Sequence, residues 1–442
     1  MIEPKILKGF RDYLPETMIP KKNIMRKLES TFESFGFSPI DTPALEYTEI
    51  LLGKGSGETD KQIYRFKDHG DRDVSLRFDL TVPLARFVSL HYNELVFPFK
   101  RYHIAPVWRG ENTQKGRYRE FFQCDFDILG SNALTADYEI LLLIMAGFES
   151  IECENFLINI NHRKLLNGII DHFGLLDKSQ NILQAIDKIY KIGKDEVVKI
   201  LMEEEKIDAA GIHGILKTLR LDGDFSKEGI KGDEIFTVLH SIKDIISDEY
   251  TVYADELLTI FQYLQDAGNL HKFAYNPAIT RGLDYYTGIV FESFITDRMN
   301  FGSVCSGGRY DNLTGLYSKN PVAGVGASFG LDRLLALLED KEQIGKKQTV
   351  SELIIFNMNN DFIPLYYKLA DQFKNAGIKT EVILDKQKIN NQFKYAERKG
   401  VTWVVIAADE EFKANTFNLK NIIDGTETKA LTVEEIIHTI KG

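Results

Sequence analysis

The segment EFFQCDFDIL alternates with a period of two, which places Gln123, Asp125 and Asp127 on one side of a strand and Phe122, Cys124, Phe126 and Ile128 on the other. One face is apolar. The other is made of carboxylates and an amide, groups that hydrogen-bond a polar ligand. A solvent-exposed strand face is the simplest reading of the alternation by itself, but the preceding run weighs against it. KRYHIAPVWR ends at Arg109, Glu111 follows, and the connecting loop carries Lys115, Arg117 and Arg119. From Lys100 to Arg119 six basic residues stand against one acid, a local +5 inside a chain of net charge −11. A planar guanidinium stays charged and donates two parallel hydrogen bonds to a phosphate, so arginines here suit an anion site, although a solvated, charged β-turn has the same composition.

Three further constellations carry chemistry. TRGLDYYTGIVFE sets Arg281 and Asp284 beside Tyr285 and Tyr286, and SVCSGGRYDNL brings Arg309, Tyr310 and Asp311 together. Adjacent tyrosines often mark no more than the buried and exposed faces of one strand. In GVGASFGLDRL, Arg333 falls in the first turn of a helix, where it opposes the positive end of the helix dipole and a bound anion would account for it better than solvent does. GKGSGETD, at Gly53 to Asp60, lacks the residue order of a phosphate loop and is set aside as an ATP signature.

These groups need elements to hold them. Ile24, Leu28, Phe32 and Phe35 recur at helical spacing from Lys21 to Phe37, and Gly36 and Pro39 mark the stop before an extended SPIDTPALE. The runs ending at Arg109 and beginning at Glu120 form an antiparallel hairpin with a long basic tip. After Ile160 the chain reads as polar helices to about Leu270, and KDEVVKILMEEEKID alone carries a charge of −3. Strand and glycine-rich turn character returns from Ala278, ending in a strand of small residues that runs into the helix LDRLLALLED. Beyond DKEQIGKKQTVS, strands alternate with helices in a small α/β domain of about 90 residues.

Length and composition bound the rest. At 442 residues with 44% apolar content, two or three domains are expected. Three scattered cysteines, Cys124, Cys153 and Cys305, suit neither a disulfide framework nor a zinc site and imply a reduced, cytoplasmic setting. The apolar run Ile140 to Phe148 is far shorter than the ~20 residues a bilayer requires, and MIEPKILKGF has no signal-peptide architecture, so a soluble protein is expected.

Taken together these residues resemble the class II aminoacyl-tRNA synthetases, and within them the histidyl-tRNA synthetase family. The resemblance covers nearly the whole chain. KGFRDYLP is similar to the family's N-terminal segment, and Lys21 to Glu46 resembles the helix and strand of motif 1, which serve dimerisation. VWRGENTQKGRYREFFQCDFDILG is similar to motif 2 and GVGASFGLDRLL to motif 3, while RGLDYYTG and SVCSGGRYD resemble the two histidine-specific signatures. The resemblance implies an α+β fold: a catalytic domain on an antiparallel sheet, residues 1–160 and 271–342, a helical insertion, 161–270, and a C-terminal α/β anticodon-binding domain, 350–442. It implies a ligase that joins histidine to ATP as histidyl-adenylate, releasing pyrophosphate, and then transfers histidine to the 3′ end of its tRNA.

Site roles follow from the same resemblance. Arg109 and Arg281 would hold the α-phosphate and the carboxylate, with Arg281 the foremost catalytic side chain. Glu111 would face the adenine and Arg333 the terminal phosphate, with Mg2+ bridging the leaving phosphates and no metal site made by protein alone. Asp79 and Thr81 of LRFDLTVP, with Gln123, would bind the α-amino group; Asp127 would accept a hydrogen bond from the imidazole, and Tyr285, Tyr286 and Tyr310 would complete the pocket. Gln114 and Arg117 are candidates for contacts with the tRNA acceptor end. Some members have glutamate where this chain has Asp79 and Asp127. A carboxylate facing one ring nitrogen and a hydroxyl near the other select a side chain with two nitrogens, and a site with such buried groups rejects analogues lacking them by about 10⁴–10⁵, so no editing domain is required.

The main rival is a regulatory subunit of ATP phosphoribosyltransferase, a paralogue that binds histidine without charging tRNA. Such paralogues lack the anticodon domain and degrade the arginine signatures, whereas Arg109, Arg281 and Arg333 stand here and the final α/β segment is present. The net charge of −11 does not exclude a tRNA partner, since a second basic stretch, Lys386 to Gly400, carries a local +4. Binding through a few basic patches should weaken steeply with salt. A homodimer is the expected assembly, and no membrane partner is implied.

Overall fold

The computed structural model describes residues 1–53, 62–113, 116–223, 226–280, 286–311, 314–319, 321–340 and 348–442. The chain divides into two compact units, residues 1–10 with 24–337 and residues 11–23 with 338–442.

In the first unit the strands run β1 (Ser38–Pro39), β2 (Leu45–Tyr47), β3 (Arg65–Lys67), β4 (Asp73–Leu76), β5 (Phe99–Trp108), β6 (Glu120–Leu129), β7 (Phe156–His162), β8 (Phe273–Tyr275), β9 (Ile289–Ile295), β10 (Cys305–Tyr310) and β11 (Gly324–Gly330). Eight of them form one sheet in the order β1-β5-β6-β11-β10-β9-β7-β8. Its centre is antiparallel throughout, with parallel pairs only where β1 meets β5 and β7 meets β8. Strands β2, β4 and β3 make a separate small sheet.

The two faces of β6 have different fates because its residues alternate. Cys124, Phe126 and Ile128 are buried. Phe126 lies 4.8 Å, ring centre to ring centre, from Phe32 of the helix Pro15–Ser34, and Phe329 of β11 continues the stack toward Phe148 of the helix Leu134–Ser150. Full burial of each such aromatic contributes about 1.5–3 kcal/mol, so this layer of helices seals one side of the sheet. Gly147 permits the approach, since a Cβ there would stand 2.6 Å from the Phe329 ring.

The first helix begins at Pro15, earlier than the apolar spacing from Lys21 suggests. Pro20 lies inside it, little more than one turn from its start, where its missing N–H removes a single bond from the helix ladder. The polar stretch after Ile160 is helical as its periodicity predicts, in a series of helices from Arg163 to Asp266. The small-residue run before LDRLLALLED is β11, and the helix is Leu331–Asp340.

The second unit carries β12 (Leu353–Ile355), β13 (Thr380–Val382), β14 (Trp403–Ile406), β15 (Phe417–Asn421) and β16 (Glu427–Leu431), ordered β13-β12-β14-β15-β16. The first three are parallel and the last two antiparallel. Helix Ile363–Asn375 packs Tyr366, Leu369 and Phe373 on one face of the sheet, with Ile436 of the helix Val433–Lys441 in the same core. Ala396 of helix Ile389–Lys399 joins Ile354, Phe356 and Val404 on the opposite face. This is the α/β alternation expected of the last segment. Among the described residues no helix is long and apolar enough to cross a membrane.

Candidate active site

The polar face of β6 is buried: Asp125 is 2% exposed and Asp127 3%. Alternation alone makes that face a solvated one, and the correction follows from its neighbours. On one side β5 pairs Arg101 with Asp127, and on the other β11 places Gly326 opposite the same residue. A Cβ on Gly326 would stand 2.0 Å from Asp127 Oδ1, so glycine is what leaves the carboxylate its room. From β10, Tyr310 donates its hydroxyl to Asp127 Oδ1 at 2.6 Å. The Arg101 guanidinium is fully buried with its Nη2 2.5 Å from Asp127 Oδ2, a contact ion pair that does not meet hydrogen-bond angles. Its Nε and Nη1 are also buried without a hydrogen-bond partner among the described residues.

Asp79 lies at the start of the helix Thr81–Leu90, where its Oδ1 accepts from the Val82 N–H at 3.1 Å. Its Oδ2 is buried with no hydrogen-bond partner among the described residues, as is Gln123 Oε1. Gln123 donates through Nε2 to Ser328 Oγ at 3.2 Å and to Asp125 Oδ1 at 3.4 Å. Thr81 opens the helix. Arg109, just past the end of β5, donates from Nε to the Phe78 carbonyl at 2.8 Å and lies over the Phe121 ring of β6 at 5.1 Å, which fixes the guanidinium. Tyr286 packs with Phe78, Val82 and Tyr310 in one apolar cluster.

Electrostatics match this placement. Burial pushes Asp79 up to about 6, against the Val82 N–H and the positive charges of Arg109 and Arg101. Burial pushes Asp125 up to about 7, opposed by Arg101 and assisted by Asp127. Asp127 is raised by the same loss of water, with Arg101 and the Tyr310 hydroxyl pulling it back. Arg101 and Arg109, with Arg77 acting on Asp125, offset only part of the cost of burying these three carboxyl groups, and a ligand carrying an ammonium would add the positive charge they favour.

The remaining residues lie at the ends of these strands. Arg333 anchors Nη1 on the Ser303 carbonyl, and Asp332 beside it accepts from the Phe122 N–H at 2.7 Å, tying the start of its helix to β6. In the hairpin tip Arg117 Nη1 is 3.6 Å from Glu111 Oε2. Arg119 returns its N–H to the Gly9 carbonyl at 2.8 Å and its carbonyl to the Arg109 N–H at 2.9 Å, so the opening KGF segment seats on the tip. Gly9, at φ +91°, fits there because a Cβ would meet the Arg119 side chain at 2.7 Å. Arg281, Tyr285 and Gln114 lie outside the described residues.

Two expectations change. The +5 stretch is not a uniform basic surface: Arg101 is interior, and Lys100 is bound to Glu139 at 2.5 Å. Arg309, noted beside Tyr310, is a bracing residue that grips the buried Asp137 and the Ser131 carbonyl. In the second unit, Lys394, Arg398 and Lys399 of the +4 stretch line a cavity of about 480 Å³ with Gln348, Gln387, Asn391 and Tyr395, although Lys399 is paired with Glu381 at 2.8 Å. Arg101 was not singled out by the sequence reasoning. The cysteines are free and buried.

Residues 9–334 match a family model described as histidyl-tRNA synthetase, and residues 352–442 match one described as an anticodon binding domain. A histidine–tRNA ligase of Treponema denticola is 46% identical over 405 residues, 91% of this chain and 88% of the relative. One from Helicobacter pylori strain J99 is 43% identical over 100% of this chain and 98% of its own. Among solved structures, a histidyl-tRNA synthetase from Nostoc sp. PCC 7120 superposes with a TM-score of 0.87 at 30% identity, covering 100% of this chain and 99% of that one.

Proposed function

The chain belongs to the histidyl-tRNA synthetase family, which makes it a histidine–tRNA ligase, and from that premise we propose how its residues divide the reaction. Histidine and ATP are the substrates of the first step and tRNA the acceptor in the second. The histidine carboxylate attacks the α-phosphorus of ATP, the bond to the β-phosphate oxygen breaks, and pyrophosphate leaves. A ribose hydroxyl of the tRNA's terminal adenosine then attacks the activated carbonyl, and AMP leaves.

Arg109 holds the α-phosphate and the carboxylate, a role supported by a guanidinium already fixed by the Phe78 carbonyl and the Phe121 ring. Such a group stabilises charge in the transition state without having to reorganise. Arg281 shares the task and stabilises the pentavalent phosphorus; its assignment rests on RGLDYYTG. Glu111 faces the adenine and Arg333 the terminal phosphate. Asp79, Thr81 and Gln123 receive the α-ammonium, and the observation that carries this reading is the pair of buried acceptors, Asp79 Oδ2 and Gln123 Oε1, with no hydrogen-bond partner among the described residues. A buried acceptor left unmet costs about 1–3 kcal/mol, which a bound ammonium recovers. Asp127, Tyr310, Tyr286 and Tyr285 enclose the imidazole.

Gln114 and Arg117 meet the acceptor end of the tRNA. Magnesium accompanies the leaving phosphates. Its ligands would come mainly from phosphate and water oxygens, as is usual for magnesium bound with a nucleotide. We divide the chain into a catalytic domain of residues 1–160 and 271–342, a helical insertion of 161–270 and an anticodon-binding domain of 350–442, and we place the enzyme in the cytoplasm as a homodimer, which sedimentation at micromolar concentration checks.

Histidine-dependent exchange of pyrophosphate into ATP tests the whole reading. Exchange is expected with histidine and absent without it. An enzyme that binds histidine yet shows no exchange would be a regulatory paralogue and would overturn the reading.

A further inference from the structure

Asp127 has two oxygens and two partners already in place. Tyr310 donates to Oδ1 at 2.6 Å, and Arg101 Nη2 stands 2.5 Å from Oδ2. Arg101 cannot reach a substrate with a group already inside the sheet: it is 0% exposed, its side chain rising from β5 directly opposite Asp127. A fully buried guanidinium left without an anion is strongly destabilising, because its lost hydration is not replaced. Its placement therefore requires a nearby anion, and Asp127 is the carboxylate in contact with it.

We infer that Arg101 is a positioning residue for histidine selection: by holding Asp127 as an anion it commits the Tyr310 proton to Asp127, so that this wall of the pocket offers only acceptors and selects an N–H on the imidazole. A neutral Asp127 would reverse the polarity, because a carboxylic acid can donate and would free the Tyr310 hydroxyl to turn. Among the described residues, the charged and titratable groups facing Asp127 are Arg101 on β5, Asp125 on its own strand and Tyr310 on β10, with Asp79 acting on Asp125 from the head of the helix Thr81–Leu90. Of these Arg101 favours the anion by charge and Asp125 opposes it. Burial holds Tyr310 well above the usual phenol range, so its proton is always present to be directed. Gly326 completes the device by keeping Asp127 Oδ1 against Tyr310, since any Cβ there would displace it.

This inference rests on the reading that Asp127 and Tyr310 enclose the imidazole, and the experiment separates the two. Pyrophosphate exchange is measured across pH for wild type, Arg101→Met, Arg101→Lys, Asp127→Asn and Tyr310→Phe, with histidine and with its two ring-N-methyl isomers as competitors. For Arg101→Met the histidine KM is expected to rise about 10- to 100-fold with the ATP KM within twofold, and the acid limb of the histidine profile to move to higher pH as Asp127 takes up a proton. Discrimination between the methyl isomers should narrow, and Arg101→Lys should restore part of each effect. Arg101→Met combined with Tyr310→Phe should be less than additive. If Asp127→Asn and Tyr310→Phe raise the histidine KM but Arg101→Met leaves KM, profile and discrimination unchanged, Arg101 is only structural and the inference fails. If Asp127→Asn and Tyr310→Phe also change nothing, the pocket assignment fails first. Should Arg101→Met not fold, the neutral and polar Arg101→Gln carries the test: an unmoved acid limb with a wild-type histidine KM and unchanged isomer discrimination overturns the inference.

Discussion

In the proposed division of the reaction, Arg281 and Arg109 are not equivalent. Arg109 is anchored by the Phe78 carbonyl and the Phe121 ring and can serve ground-state binding, whereas a residue acting on the pentavalent phosphorus contributes chiefly in the transition state. Arg281→Ala is therefore expected to keep histidine affinity within a few-fold by calorimetry while adenylate formation falls by about 10²- to 10³-fold. Exchange near the wild-type rate would refute the assignment. The sequence made the acids of β6 legible, because alternation sorts Gln123, Asp125 and Asp127 onto one side. It left Arg101 hidden. Pairing KRYHIAPVWR with EFFQCDFDIL end to end sets Arg101 opposite Ile128, one residue from the register the sheet adopts, and a one-residue slip sends every side chain to the other face.

Among the elements, β11 is the most constrained by its sequence. GVGASFG could be mistaken for a flexible linker, yet it is a central strand in which Gly326 lies against Asp127 and Gly324 against Tyr310. Gly326→Ala is expected to lower stability by about 1–3 kcal/mol in urea titration, since the carboxylate must move from a filled interior. It should also raise the histidine KM at least tenfold with little change for ATP. A variant with wild-type histidine KM would show that Asp127 tolerates displacement. The hairpin, the helical module and the C-terminal alternation were legible because period-two and helical spacing are local properties. The early start of the first helix was not, because Pro20 reads as a breaker and only the surrounding turn shows that a single bond is lost.

At the scale of the whole molecule, the chain's −11 coexists with restricted basic surface. Among the hairpin's described basic residues Arg101 is interior and Lys100, Arg109, Arg117 and Arg119 each have a partner within the chain, so the cavity lined by Lys394 and Arg398 in the second unit carries more weight for tRNA than composition suggests. Lys394→Glu with Arg398→Glu is expected to raise the tRNA KM at least tenfold and flatten its salt dependence, leaving histidine-dependent exchange unchanged. An unchanged tRNA KM would move the contact elsewhere. The three interior carboxyl groups also bear on the molecule's proton count. Asp79 and Asp125 sit at about 6 and about 7, so near neutral pH the free protein still holds part of their protons. An incoming ammonium favours the ionised forms and drives those protons off. Histidine binding near pH 6.5 should therefore release protons to solvent, and calorimetric heats should vary with the ionisation enthalpy of the buffer, in proportion to the fraction of a proton expelled. The dependence should fade above pH 8, where both groups are already ionised, and heats identical in all buffers at pH 6.5 would mean the acids are charged before the ligand arrives.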